Sequence, residues 1–194
     1  LAVSSHSKSL DHSILAAGHV YTIHEADQKA GRAIESLFEI PSVVALIAPT
    51  VDKIVAKIRR ARCIPGKEDD TSGALFEALA NAVLHGNHED PAKRVRVRLH
   101  YEPRKCLSIV VSDEGPGFTV SEVADPTRPE NLDADHGRGI LLMRAFMDEV
   151  HFEKGGSECH LVKHCDISQS RTLLGRIGSD ISSFFRSLLY RRIG

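Results

Sequence analysis

Glu77, Asn81 and His85 stand at i, i+4 and i+8, so a regular helix puts all three near one face. A carboxylate one turn from an amide suits phosphoryl chemistry. The amide oxygen can hold Mg²⁺ without cancelling its charge, and the carboxylate can orient or deprotonate a hydroxyl. Taken alone, the three residues equally describe a solvated polar stripe. A second group, Ser112-Asp113-Glu114-Gly115-Pro116-Gly117-Phe118, follows an apolar run. An Asp placed there can accept a hydrogen bond from an exocyclic amine such as that of adenine, and the glycines let backbone approach a ring closely. The same residues also make an ordinary turn. A third group, His136-Gly137-Arg138-Gly139, precedes Ile140-Leu141-Leu142. If it opens a helix, its N–H groups can hold phosphate oxygens, and Arg138 can add charge; a plain loop-to-helix junction is the alternative.

Each group needs an element to position it. Residues 34–40 (IESLFEI) read as a strand ending at Pro41. Residues 49–62 read as a helix with Pro49 in the first turn and Val51, Ile54, Val55 and Ile58 on one face. A loop, CIPGKEDD, leads to a helix over 72–86, with Thr71 or Ser72 as its cap. RVRVRLHY at 94–101 alternates as a half-exposed strand does, and CLSIVVS at 106–112 reads as a more buried strand joined to it in a hairpin. A long loop over 114–138 has the length of a functional lid. A helix over 139–147 and strands near 148–153 and 157–163 complete the pattern.

The flanks differ in character. Residues 1–33 are polar and His-rich (His6, His12, His19, His24) and read as an arm; the wide, irregular His spacing favours solvation over metal binding. Residues 167–194 read as an amphipathic helix with an Arg-rich polar face, for packing on its own domain or a dimer mate; a membrane-surface or partner-docking role is the alternative. The central unit spans 34–166.

Composition removes several classes. The 194 residues suit one domain with extensions, and a 42% hydrophobic share supports a packed core. A formal net charge of −1 gives no basic field for direct nucleic-acid binding. The four cysteines form no C-x-x-C pair, which fits reduced thiols in the cytoplasm. No apolar run reaches the ~20 residues of a membrane span. There is no G-x-x-x-x-G-K-[ST], G-x-S-x-G or H-E-x-x-H, and Gly137-Arg138-Gly139 lacks the third glycine of a dinucleotide fingerprint.

The order of the groups is more specific than any one of them. Glu77-Ala-Leu-Ala-Asn81-Ala-Val-Leu-His85-Gly86-Asn87 resembles the N box of bacterial anti-sigma-factor serine kinases of the GHKL superfamily. Asp113-Glu-Gly115-Pro-Gly117-Phe118 is similar to the first glycine box, and Gly137-Arg-Gly139-Ile-Leu-Leu-Met to the second. Phe146-Met147-Asp148-Glu149-Val150 resembles the stretch that follows in these kinases, and the likeness covers roughly residues 34–165.

This resemblance implies an α/β two-layer sandwich, with a mixed, mostly antiparallel sheet under helices and ATP held beneath a lid. It implies Asn81 as the Mg²⁺ ligand, Asp113 as the adenine contact, Glu77 as the general base and Ser157 near the phosphates. Leu84 and His85 match the anti-sigma type, since histidine kinases often carry a basic and then an aromatic residue there. The implied activity is phosphorylation of an anti-anti-sigma protein by a homodimeric kinase that otherwise holds a sigma factor. A non-catalytic, ATP-responsive regulator and a domain phosphorylating histidine on a separate protein are the alternatives. Asp133 and Asp135 depart from the pattern, standing where some members carry a basic residue; Arg128 or Arg138 would supply that charge.

Overall fold

The computed structural model describes residues 8–9, 11–16, 19–30, 33–102, 105–117 and 138–165. Eight strands form one sheet: β1 (Lys8–Ser9), β2 (His12–Ala16), β3 (His19–Ala30), β4 (Ala33–Pro41), β5 (Arg94–Glu102), β6 (Cys106–Ser112), β7 (Glu149–Glu153) and β8 (Glu158–His164). The order is β1-β3-β4-β5-β6-β8-β7, with β2 also paired to β3. Helices α1 (Ile47–Ala61) and α2 (Glu68–Ala80) lie between β4 and β5 in the chain, and α3 (Arg138–Phe146) precedes β7. Every described strand pair is antiparallel. The two-layer sandwich is therefore as expected, and the parallel pairing that a mixed sheet would include is absent among the described residues.

Alternation on β5 shows how the sheet divides its faces. Val95, Val97 and Leu99 are buried while Arg96, Arg98 and His100 turn outward, as period-two side-chain direction requires. Val97 lies opposite Phe38 on one side and Val111 on the other, and Val111 lies opposite Cys159. These inward rows meet Ile54, Val55 and Ile58 of α1 and Leu75 and Leu79 of α2 in one core.

Two expectations need correction. Helix α2 starts at Glu68, so Thr71 and Ser72 lie inside it and do not cap it. The acidic residues Glu68, Asp69 and Asp70, expected in the loop, form the first turn, where negative charge complements the helix dipole. Thr71 turns its hydroxyl back to the Lys67 carbonyl at 3.0 Å.

The second correction concerns the polar arm. Its described residues other than Asp11 lie in strands, and β3 pairs with β4 from His24↔Glu39 to Ala30↔Ala33. Glu25 continues the row of Phe38 and Val97, yet it is 6% exposed. Lys53 and Lys57 of α1 hold its carboxylate at 2.9 and 2.7 Å, and Lys57 also binds Asp27. A buried charge paired from the opposing layer fills an inward position that an apolar residue usually takes.

Burial pushes the Glu25 carboxyl up, but the hydrogen bonds and charges of Lys57 and Lys53 outweigh it and leave the pKa lowered. Glu25→Gln is expected to lower the unfolding free energy at neutral pH by about 2–3 kcal/mol, below the usual loss for a broken buried pair because Asp27 still faces Lys57. A lowered folded-state pKa contributes stability above the unfolded value of 4.5 and loses it as pH falls through the folded value. Urea unfolding of both proteins should therefore show a gap that narrows below that pH. A gap constant from neutral to acid pH would contradict the ion-pair account.

Candidate functional site

Helix α2 is the middle helix of its layer, packed between α1 and α3, and it is buried nearly all round. This explains why a carboxylate in its third turn is enclosed: Glu77 is 7% exposed. Asn81, one turn on, is half-buried, and His85 is exposed. The start of α3 closes over the first two. A Cβ at Gly139 would lie 2.5 Å from Glu77 Oε2 and 3.7 Å from Asn81 Nδ2, so only glycine lets the α3 backbone approach the carboxylate this closely. The positive end of the helix thereby faces Glu77. Residues from the first and third sequence groups share one wall.

Beyond Ala80 the helix changes register. Asn81–Gly86 form a π-turn, and the Asn87 N–H reaches back five residues to the Ala82 carbonyl at 2.8 Å. Such turns are mostly single and are frequent at functional sites. Here His85 is exposed, and Gly86 lies under the loop after β6. A Cβ on Gly86 would lie 2.4 Å from Asp113 Cγ, and one on Gly115 would lie 2.0 Å from the Gly86 carbonyl oxygen. Both glycines are needed for this approach.

Asp113 is anchored by its main chain, which donates to the Ser157 carbonyl at 3.1 Å. Its Oδ1 accepts the Gly115 N–H at 2.8 Å. Burial raises the Asp113 pKa, opposed by the Gly115 N–H bond and the charge of Lys93. Its capacity as a pure acceptor is thus lost at a higher pH than for an exposed Asp. Gly117 (φ +78°) lies against the β7–β8 turn, where a Cβ would lie 2.1 Å from the Gly155 carbonyl oxygen.

The remaining sequence candidates divide. Ser157 reaches the site through its main chain, while its hydroxyl donates to the Lys154 carbonyl at 3.1 Å. Arg138 opens α3. Phe118, Gly137, Arg128, Asp133 and Asp135 lie outside the described residues, as does most of the expected lid and the whole C-terminal helix.

Three residues with no assigned role also join the site. The Asn87 side chain accepts the Glu114 N–H at 2.9 Å, and the Glu114 carboxylate accepts the Arg94 N–H at 2.9 Å. The Glu114 carboxyl is held below its usual range, first by that Arg94 N–H bond and then by Arg96, whose guanidinium is 3.0 Å away. A polar residue directly after a helix-ending glycine was the one available signal, for Asn87.

The donor set fits a purine nucleotide with a hard cation. A neutral amide oxygen suits Mg²⁺, a desolvated carboxylate suits an amine, and glycine backbone leaves room between them. Elsewhere Glu153, Glu158 and His160 bring ligand atoms within 4.8 Å of one another. There, Lys154 at 2.8 Å and Arg98 at 3.2 Å already supply Glu158 with positive charge, so that cluster is an ion-pair network. No helix among the described residues is long and apolar enough to cross a membrane.

Comparison with known proteins agrees with this geometry. Residues 40–163 match the family described as histidine kinase-like ATPase domain. The anti-sigma F factor of Geobacillus thermodenitrificans is 30% identical over 141 residues, covering 69% of this chain and 84% of the relative. That of Bacillus subtilis is 28% identical over the same length and shares. The anti-sigma F factor of Clostridium beijerinckii is 27% identical over 130 residues, 64% of this chain and 79% of the relative. With an N-box helix, a glycine-lined Asp loop and a third helix closing on Glu77, the chain belongs to the histidine kinase-like ATPase family and is of the anti-sigma-factor type.

Proposed function

We propose that this chain is an ATP- and Mg²⁺-dependent protein serine/threonine kinase that acts as an anti-sigma factor by partner switching. In one state it holds a sigma factor; in the other it phosphorylates an anti-anti-sigma protein, working in the cytoplasm as a homodimer. The observation that carries this reading is that one π-turn has Glu77 and Asn81 at its entry and the Asp113 carboxylate packed on Gly86 at its exit. A phosphoryl site and a base site are thus set at opposite ends of a single rigid turn.

Roles follow from that arrangement. Asp113 accepts a hydrogen bond from the adenine amine, Gly115 and Gly117 line that end, and Phe118 is the ATP contact that follows them in the sequence. Asn81 holds Mg²⁺, which when bound neutralises charge on the phosphates. The N–H groups of Arg138 and Gly139 at the start of α3 receive phosphate oxygens, with Gly137, the preceding residue in the sequence, as a further contact and Ser157 at the rim. Glu77 takes the proton of a substrate hydroxyl as its oxygen bonds to the γ-phosphorus and the bond to the departing ADP oxygen breaks.

The test uses the purified full chain, labelled ATP with Mg²⁺, and candidate antagonist proteins. The expected product is an antagonist carrying acid-stable phosphate, made only when Mg²⁺ is present. Asn81→Ala should weaken Mg²⁺-ATP binding by about tenfold in titration calorimetry while affinity for metal-free ATP changes little. Acid-labile phosphate would identify histidine as the acceptor. ATP binding without transfer to any antagonist would identify a non-catalytic regulator, the reading that Asp133 and Asp135 favour. No ATP binding at all would end the proposal.

A further inference from the structure

Asn87, Glu114 and the Arg94 peptide close a ring of three hydrogen bonds. Asn87 Oδ1 accepts the Glu114 N–H at 2.9 Å, a Glu114 carboxylate oxygen accepts the Arg94 N–H at 2.9 Å, and the Arg94 carbonyl accepts Asn87 Nδ2 at 3.0 Å. Each member belongs to a different element: the end of the π-turn, the loop after β6, and the first residue of β5. The ring is braced outside by Arg96, which reaches Glu114 at 3.0 Å and Glu39 of β4 at 2.7 Å.

The ring fixes more than its own members. Asn87 is fully buried, at 0% exposure, and both ends of its amide are used. Rotating that amide by half a turn would set NH₂ against an N–H and oxygen against a carbonyl, so only one orientation is stable. The N–H it accepts belongs to the peptide joining Asp113 to Glu114. Holding that peptide plane sets the direction in which the Asp113 side chain leaves the backbone. On the other side, the Gly115 N–H holds Asp113 Oδ1. The carboxylate is therefore aimed by hydrogen bonds on both flanks of Glu114.

We infer that this Asn87–Glu114–Arg94 clasp is a positioning device that determines selectivity for the 6-amino group of adenine. The inference rests on the proposed role of Asp113. A carboxylate discriminates an amine only when its acceptor oxygen is held in the line of the N–H, since hydrogen bonds weaken steeply with misalignment. A loop free to rotate at the 113–114 peptide would still admit a nucleotide, because phosphate and cation binding lie at the other end of the π-turn. It would no longer tell ATP from an analogue without the amine.

The experiment measures dissociation constants of the full chain for ATP and for purine riboside triphosphate, which lacks the 6-amino group, both with Mg²⁺. The wild type is expected to prefer ATP by about tenfold or more. Asn87→Ala should collapse this ratio to within about threefold of unity, chiefly by weakening ATP. Glu114→Ala removes an exposed side chain, tests the same ring without opening a buried hole, and should reduce the ratio in the same direction. A purely structural loss would weaken both nucleotides alike and preserve the ratio. Wild-type ratios in a folded Asn87→Ala protein, or in Glu114→Ala should Asn87→Ala not fold, overturn the clasp. Equal binding of both nucleotides by the wild type and by Asp113→Asn overturns the adenine role of Asp113 and the clasp with it, a result distinct from failure of the clasp alone.

Discussion

Glu77→Gln is expected to lower phosphoryl transfer to a protein substrate by about 10²–10⁴-fold, the range for loss of a positioned general base. The substitution keeps size and shape and removes only the capacity to take a proton. Because Glu77 is enclosed by the start of α3 and is 7% exposed, bulk water is poorly placed to replace it as a base. ATP affinity should change by no more than about threefold, since the proposed nucleotide-holding groups are Asn81, Asp113 and the glycines. Single-turnover transfer and equilibrium ATP binding, measured side by side, separate the two effects. Transfer within a factor of about two of wild type would remove Glu77 from the mechanism; a parallel loss of ATP binding would make it a binding residue instead.

Gly115→Ala should weaken ATP binding by about 10²-fold. The added methyl would start 2.0 Å from the Gly86 carbonyl oxygen and 2.9 Å from Asp113 Oδ1. The first is backbone of the π-turn, which cannot yield as a side chain tip can. Relief requires the loop to lift from Gly86, and this carries the Asp113 carboxylate with it. Overpacking of this kind typically costs about 1–3 kcal/mol, and here it falls on the surface that receives the base. Thermal unfolding with and without ATP is the check. A modest fall in the melting temperature of the free protein and a near-complete loss of the ATP-induced rise are expected. An undiminished rise would show that the loop does not have to rest on Gly86 for binding.

Legibility in the sequence followed the physics of each element. The alternation of β5 was readable because one face of that strand meets the core and the other meets water. The same rule failed on β3, whose inward positions include Glu25; a carboxylate neutralised by lysines from another element looks like a surface residue until that element is in place. The start of α2 was hidden because Glu68, Asp69 and Asp70 have loop-like composition and dipole-favoured positions at once. At the candidate site, Glu77, Asn81, Asp113 and Gly139 were singled out by type and order. The approach of Asp113 to Gly86 depends on the π-turn, which the spacing could not reveal: i, i+4 and i+8 are the marks of a regular helix, and the change of register after Ala80 leaves no compositional trace. Asn87 stood in the quoted motif, yet its use depends on Arg94 and Glu114, which are brought to it only when β5 and β6 pair.

The antiparallel sheet has two seams that join segments distant in the chain, β4–β5 and β6–β8. β3 pairs with β4, the next strand in the chain, as β5 does with β6 and β7 with β8, so each of these hairpins can form locally. Between β4 and β5, however, Pro41 pairs with Arg94 across both α1 and α2, and Ser112 of β6 pairs with Glu158 of β8 across α3 and β7. Closing each span costs chain entropy that a two-residue hairpin turn does not, and helices formed in between shorten the distance to be closed. Distant pairings of this kind form more slowly than the hairpins on either side of them. On a ribosome, the N-terminal strands emerge first and wait with an unpaired β4 edge until β5 has been synthesised.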